Sequence, residues 1–318
     1  MVSDLEGGNT PTHAQGDLRI GLVGCGRLAE RGYVPAARIA RGVRLAAVAD
    51  LAPSRCLEAA PGVPAYDSAE ALVAAGGVDV VVVATPAAAH LGDARFAAQV
   101  GLPVLIEKPP APDPEQAAAL AALVPAPWIG FNRRFDSGLQ RLQESARRHE
   151  RVDLRLELSY DRSAWSPHVV ADDALDDLGS HLVDLARWIV GGEIERTRAL
   201  VLEGRRARVE LEFGRGRAEL VCANDRGHVE AFVLRDERGR RLAAHSQGRV
   251  RGGLRRLRHP RAPNSLVASL VGELEEFARA AHGEDGLRLA TAADGVAAMV
   301  ALDAVRRSAA AGGDWRAV

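Results

Sequence analysis

One segment constrains this chain more than any other: Leu18-Arg19-Ile20-Gly21-Leu22-Val23, followed at once by Gly24-Cys25-Gly26-Arg27-Leu28-Ala29. The first six residues read as a buried strand, and the stretch from the glycines to about Ala40 reads as a helix. Strand, G-x-G-x-x-A turn and helix together open a βαβ unit built to hold a pyrophosphate. Gly24 makes the tight turn, Gly26 lets backbone approach the phosphates, and Ala29 lets the helix sit close on the sheet. The helix N-terminus, entered through Arg27 and Leu28, meets the negative charge. With 32 glycines in the chain the turn alone would say little. The continuation adds weight, because the next strand, Val43 to Ala49, ends at Asp50. An acidic residue about 20 residues past the turn binds a ribose 2′-hydroxyl and repels a 2′-phosphate, so NAD(H) is the expected cofactor. Ser54 and Arg55 lie just beyond and leave NADP(H) open.

The α/β alternation continues. Val78 to Ala84 is an unbroken apolar run, as a central parallel strand covered on both faces requires, and it ends at Thr85-Pro86. A helix from about Ala88 to Val100 follows. The strand Leu102 to Ile106 then delivers Glu107-Lys108-Pro109 to the same sheet edge, where ligands bind in such folds. A helix from about Pro114 to Leu123 and the strand Trp128 to Phe131 complete the pattern, leading to Asn132-Arg133-Arg134-Phe135.

Lys108 is the single lysine in a chain whose Lys+Arg count is 41, the rest being arginine. The Ala/Arg/Gly bias is that of a GC-rich coding sequence, in which lysine codons drift to arginine. A lysine retained against that drift suits a task arginine cannot perform, because an ammonium is a compact charge with a tunable pKa.

The chain resembles the Gfo/Idh/MocA oxidoreductases. The resemblance rests on the glycine turn, Asp50, Ala84-Thr85-Pro86 with His90, Glu107-Lys108-Pro109 and Gly130-Phe131-Asn132-Arg133-Arg134-Phe135. In the second half it rests on Asp177-Leu178-Gly179-Ser180-His181-Leu182-Val183-Asp184. It covers about Leu18 to the C-terminus. It implies an α/β chain: an N-terminal Rossmann domain plus a C-terminal α/β domain with a large, mainly antiparallel open sheet. It also implies NAD(P)-dependent hydride transfer to or from a carbinol or carbonyl of a sugar or cyclitol. The matching lysine and histidine would contact the oxygen at the hydride-transfer carbon. His181 is then expected to exchange the proton, Lys108 to polarise the oxygen, and Asp177 to hold another substrate hydroxyl; the reverse assignment of Lys108 and His181 stays open. Asp177 and His181 are four apart, which on an α-helix puts them on one face and lets the carboxylate orient the imidazole. Asp184 is expected as a structural partner of the helix or of His181.

Thr85, Pro86 and His90 are expected to line the cofactor groove. Glu107 is expected to bond the nicotinamide ribose beside a cis Lys108–Pro109 bond. Asn132 and Arg134 are candidates for cofactor or substrate contact, and Trp165 and His168 for shaping the sugar pocket. Where many relatives have glycines before the Asp-x-Gly-x-His block, this chain has Val170-Ala171-Asp172-Asp173-Ala174-Leu175-Asp176. The carboxylates there suggest a cationic substrate such as an aminosugar or aminocyclitol, or equally a solvated acidic helix start.

At 318 residues the chain suits two domains. Residues 1–16 read as a disordered tail, 17–134 as the dinucleotide-binding domain and 135–318 as the substrate-binding and oligomerisation domain. In the latter, Val152 to Tyr160 alternates with period two. Further strands are expected over Thr197–Glu203, Arg206–Phe213, Arg217–Ala223, His228–Leu234 and Arg240–Ala244, as an antiparallel meander. Gly248 to Pro263 reads as an arginine-rich loop, and Leu266–Ala281 and Thr291–Ala309 as closing helices. A homo-oligomer, dimer or tetramer, is expected through the open sheet face. A net charge of −1 gives no pull toward nucleic acid. No segment is apolar enough to span a membrane. Cys25, Cys56 and Cys222 have no metal-ligand spacing, so no metal is expected. Their odd, scattered placement points to reduced thiols and a cytoplasmic protein, with Cys25 a small filler at the turn. Two other readings fit the same fold: a redox-neutral NAD-dependent glycoside hydrolase, and a non-catalytic NAD-sensing protein.

Overall fold

A computed structural model describes residues 16–165, 173–247, 264–285 and 288–318. Residues 1–15 of the expected tail, the arginine-rich stretch 248–263, Asp172 and His168 lie outside these residues, and so does the side chain of Trp165.

Two seven-stranded sheets organise the described chain. The first contains β1 (Leu18–Val23), β2 (Val43–Ala49), β3 (Ala65–Tyr66), β4 (Val80–Val83), β5 (Val104–Glu107) and β6 (Trp128–Gly130). They are ordered β6-β5-β4-β1-β2-β3 and all run parallel. The order reverses between β1 and β4, the topological switch point at which such sheets bind ligands. Helices α1 (Val34–Ala37), α2 (Pro53–Ala59), α3 (Ala69–Ala75), α4 (His90–Gln99) and α5 (Pro114–Ala121) make the crossovers. Every residue of β4 is buried. Val81 and Val83 pack into one core, and Val80 and Val82 into the core on the other face, which is why its sequence lacks alternation.

After α6 (Ser137–Arg147) the second sheet is built from β7 (Val152–Asp161), β8 (Ile194–Glu203), β9 (Arg206–Phe213), β10 (Gly216–Ala223), β11 (Asp225–Asp236) and β12 (Arg241–Gln247). Between β7 and β8 lie α7 (Arg162–Trp165), a π-helical turn over Leu175–Gly179 and α8 (Ser180–Val190). The strand order, β12-β11-β7-β10-β9-β8, departs from the expected meander. β7 inserts between β10 and β11 and runs parallel to β10. The contact is close at one point: a Cβ on Gly216, whose φ is +141°, would lie 1.8 Å from the carbonyl oxygen of Val152. Alternation marks a half-buried strand but carries no information on its neighbour, so the sequence could not supply this pairing.

The chain then returns to the first sheet. Helix α9 (Ser265–Ala281) lays Val267, Leu270, Leu274 and Phe277 against Ile20, Leu22, Val48, Val82 and Leu105. β13 (Ala290–Thr291) adds an antiparallel edge to β6. Helix α10 (Ala292–Ala310) and β14 (Arg316–Ala317), which pairs with β8, close the second sheet. The segment assigned from sequence to 135–318 therefore covers one face of the nucleotide-type sheet as well as building its own.

Candidate active site

The glycine turn fits a dinucleotide. Gly24 has φ +94°, and a Cβ there would lie 2.7 Å from the Ala84 and Thr85 backbone, so only glycine lets the β1 turn press against the end of β4. At Gly26 a Cβ would meet nothing within 4 Å, leaving an open backbone cradle where a pyrophosphate would rest. Arg27 and Leu28 begin the helix, which passes through a π-helical turn over Ala29–Tyr33 before α1. At the end of β2 the Asp50 carboxylate accepts from the Cys25 and Ala52 amides, both at 2.9 Å. A carboxylate has lone pairs beyond these two for ribose hydroxyls. The Cys25 and Cys56 sulfurs are 3.5 Å apart in the core, and burial pushes the Cys25 thiol up to about 12, as befits a filler.

Two expected groove residues face inward instead. His90 is 1% exposed, and its ring nitrogens meet the carbonyl oxygens of Thr85 at 2.7 Å and Pro110 at 3.0 Å. It braces the loops after β4 and β5 and presents no polar atom to the groove. Glu107, 5% exposed, accepts from the Tyr33 hydroxyl and from the Lys108 amide, so its carboxylate is used in the interior rather than on a ribose. Thr85 is half-buried at the end of β4, where its hydroxyl donates to Asp93, and Pro86 is exposed beside it. The Lys108–Pro109 bond is cis.

Lys108 sits at the end of β5 and donates 3.0 Å from Nζ to the backbone carbonyl of Asp177. Burial lowers its pKa, aided by Arg162 and Arg133 and opposed by Asp177 and Glu107. His181, at the start of α8, lies edge-on to Phe131 with ring centroids 6.2 Å apart. Its Nδ1 is buried without a hydrogen-bond partner among the described residues. Burial, with the charges of Lys108 and Arg133 nearby, holds the imidazole well below its usual pKa. The ring is therefore neutral at pH 7 and able to accept a proton.

Asp177 departs from expectation. It lies in the π-helical turn rather than on a regular helix with His181, so the four-residue spacing does not pair the two. Both of its carboxylate oxygens are engaged by β7 and α7: Tyr160 donates to Oδ2, and Arg162 donates to Oδ1 at 3.0 Å. Asp184 pairs with Arg134, both almost fully buried, rather than with His181. Arg134 is thus a brace between the sheets, and Asn132 donates to Ser269 at 3.1 Å. In the acidic run, Asp176 pairs with Arg306 of α10, and the Asp173 carboxylate caps the Asp176 amide at 2.7 Å. Arg306, 3.8 Å from Asp173 as well, is the one cation paired with both carboxylates among the described residues, and Asp172 lies outside them.

His181 opens onto a pocket of about 150 Å³ between the sheets and α9, whose wall includes Arg133, Asp136, His228, Glu230 and Ser269. Burial opposes ionisation of Glu230, but Arg133, 2.7 Å away, and His245 outweigh it and hold the carboxyl at about 2. Sequence reading passed over Tyr160, Arg162, His228 and Glu230. A signal was present: Glu230 is in phase with Phe232 and Leu234, and Tyr160 with Leu154, Leu156 and Leu158. A polar side chain continuing the buried face of a strand points at a site, not at solvent.

Among known proteins, the profile of the family described as oxidoreductase family, NAD-binding Rossmann fold (Gfo/Idh/MocA) matches residues 18–126. The rhizopine catabolism protein MocA of Rhizobium meliloti is 31% identical over 303 residues, covering 90% of this chain and 93% of that protein. The inositol 2-dehydrogenase of Streptomyces avermitilis is 31% identical over 191 residues, 56% of this chain and 54% of its own length, so that match spans about half of the relative. Myo-inositol 2-dehydrogenase from Lactobacillus plantarum superposes with a TM-score of 0.77 at 18% identity, over 95% of this chain and 99% of that one. A scyllo-inositol dehydrogenase from Lactobacillus casei, solved with NAD(H) and scyllo-inositol, gives 0.76 at 17% identity, over 95% and 99%. These two share the fold. With the glycine cradle, the Asp50 end of β2 and a full-length relative in agreement, the chain belongs to the Gfo/Idh/MocA family and is an NAD-binding oxidoreductase.

Proposed function

We propose that this protein is an NAD-dependent dehydrogenase of a neutral cyclitol or sugar alcohol, with Lys108 and His181 at its chemical centre. The observation that carries the reading is the pairing of a neutral, buried imidazole with a half-buried ammonium close enough to depress it, beside a pocket walled by hydrogen-bonding side chains. Bound NAD+ supplies the hydride acceptor. His181 takes the proton from the substrate hydroxyl as the carbinol C–H bond breaks, and the Lys108 ammonium bonds the oxygen as it gains carbonyl character. The products are a ketone, the reduced cofactor and a proton left on His181. Asp177 acts from behind: its backbone carbonyl fixes the Lys108 ammonium, and its carboxylate holds Tyr160 and Arg162 beside it.

Several features support a neutral polyol. Arg133 and Glu230 neutralise each other in the pocket, and Asp176 is paired with Arg306. The relatives named inositol 2-dehydrogenase point to a cyclitol. We extend the reading to self-association through the open face of the second sheet, where crossed pairs such as Arg198–Glu210 stand outward; light scattering gives the state.

The test is reduced-nicotinamide absorbance with NAD+ or NADP+ and a panel of cyclitols, sugars and aminosugars. NADH formation with a neutral polyol is expected. Preference for an aminated substrate would overturn the substrate class. Free sugar released from a glycoside with no net cofactor change, or NAD binding without turnover, would overturn the dehydrogenase.

A further inference from the structure

Three interior side chains that take no part in these steps meet beside the site. Tyr33 comes from the π-helical turn, Glu107 from the last position of β5, and Glu273 from the middle of α9. The Tyr33 hydroxyl is 2.7 Å from Glu107 Oε1 and 3.2 Å from Glu273 Oε2. Their exposures are 2%, 5% and 0%, so water cannot separate or screen the two carboxyls. The other oxygen of Glu107 accepts the Lys108 amide at 2.9 Å. The other oxygen of Glu273 has no hydrogen-bond partner among the described residues.

A phenol has one proton and donates it once. Were both carboxyls ionised, one would face the phenol oxygen with no proton between them, in a site where an unpaired buried charge is strongly disfavoured. The cluster therefore needs a second proton. Glu107 has two donors and the Lys108 charge nearby, all of which favour its ionised form. Among the described residues Glu273 has neither a second donor nor a cation beside it, so the proton belongs there.

We propose that Glu273 is a neutral carboxylic acid donating to the Tyr33 oxygen, that Tyr33 in turn donates to an ionised Glu107, and that this chain is a positioning device for Lys108. Burial and the neighbouring Glu107 charge raise the pKa of Glu273 well above the usual range, in keeping with the proton count. Burial raises Glu107 too, with Tyr33 and Lys108 acting against it. Helix α9 gives the device a second connection. Ser265, Ser269 and Glu273 are spaced by four and share one stripe, and the two serines line the pocket that His181 opens onto. One helix face thus joins the pocket wall to the backbone that carries Lys108.

The consequence falls on the Lys108 ammonium. The anions facing it are Asp177 and Glu107, and the cations are Arg162 and Arg133. Loss of the Glu107 charge leaves Asp177 alone against two cations, so Lys108 deprotonates at lower pH.

Two measurements on the full chain test this. The kinetic one rests on the role given to Lys108 above; the spectroscopic one does not. Infrared difference spectroscopy near neutral pH should show the carbonyl stretch of a buried protonated carboxylic acid that disappears in E273Q. No such band, or a band unchanged in E273Q, overturns the proposal whatever the turnover. In the pH profile of kcat/KM, E273Q should keep the alkaline limb of the parent, because a carboxamide also donates to Tyr33. Y33F, which removes a donor to the buried Glu107 carboxylate, should move that limb to lower pH, by about one unit for loss of a nearby opposite charge, whereas E273M, which removes no charge and leaves both donors of Glu107 in place, should keep it. A limb moved in E273Q or E273M, or an unmoved limb in Y33F, contradicts the device. Absence of turnover in every variant is a failure of the dehydrogenase reading, and the infrared band then decides alone, including where Y33F does not fold.

Discussion

Lys108 Nζ donates to the backbone carbonyl of Asp177 at 3.0 Å, joining the end of a strand in the first sheet to the turn that starts the His181 helix. The hydrogen bond crosses 69 residues of sequence and fixes the ammonium against the second half of the chain. The proposed reacting centre thereby draws on both halves of the chain, Lys108 from β5 and His181 from α8, so its geometry depends on how they are held together.

That dependence is testable at Arg134 and Asp184, which pair in the interior between the turn after β6 and α8, with Asp294 3.3 Å from the same guanidinium. R134M should lower stability by about 3–5 kcal/mol, the effect of stranding a buried charge. A chemical-denaturation midpoint reads this. The double variant R134M/D184L should recover part of the loss, because neither charge is then unpaired.

In the proposed mechanism His181 sets the acid side of the pH dependence. Burial first, and then Lys108 and Arg133, depress its folded-state pKa well below that of an ordinary imidazole. The neutral base should therefore persist at pH values where a free imidazole, with a pKa of about 6.5, is already protonated. The acid limb of kcat/KM for alcohol oxidation is expected below that value, and H181N should lose about 10²–10⁴-fold in kcat. The linkage has the same sign in stability. The unfolded chain binds the proton first, so the contribution of neutral His181 is present above the free-imidazole pKa and is lost as pH falls toward the folded one. Denaturation midpoints of H181N should fall less on acidification than those of the parent.

Tyr160 has a narrower role. Its hydroxyl donates to Asp177, and Arg162 donates to both of them. Y160F should leave NAD affinity unchanged by calorimetry and reduce kcat/KM about 10- to 150-fold, the size of one hydrogen bond to a charged acceptor. A loss confined to NAD affinity would place Tyr160 elsewhere.

Asp50 is expected to govern the choice of cofactor. D50S removes the carboxylate that repels a 2′-phosphate and frees Arg55, which stands 3.8 Å from it. NAD should bind about 10- to 100-fold more weakly, with NADP gaining relative to it, as read by titration calorimetry with each.

Much of this was legible in the sequence because it is local. The Gly24 to Ala29 turn, the all-apolar Val80 to Val83 strand and the Asp50 terminus depend on neighbours a few residues away. What was hidden depends on long-range contact. The parallel insertion of β7 beside β10 follows from no property of either strand alone. The Asp177–His181 pairing failed because a π-helical turn changed the periodicity on which it was based. Glu107, His90 and Arg134 have the types expected of ligand contacts, but their partners Tyr33, Thr85 and Asp184 come from other elements or turns and draw them into the interior.

The central claim is hydride transfer at the Lys108–His181 pair, and single-turnover isotope transfer tests it most directly. The substrate found by the polyol panel, deuterated at its carbinol carbon, is mixed with excess protein and NAD+, and the nicotinamide product is analysed by mass spectrometry. The account predicts deuterium on the nicotinamide ring with the parent protein and a rate at least about 100-fold lower in K108A, at unchanged NAD affinity. Deuterium retained on the carbohydrate, or equal transfer rates in the parent and K108A, would contradict it.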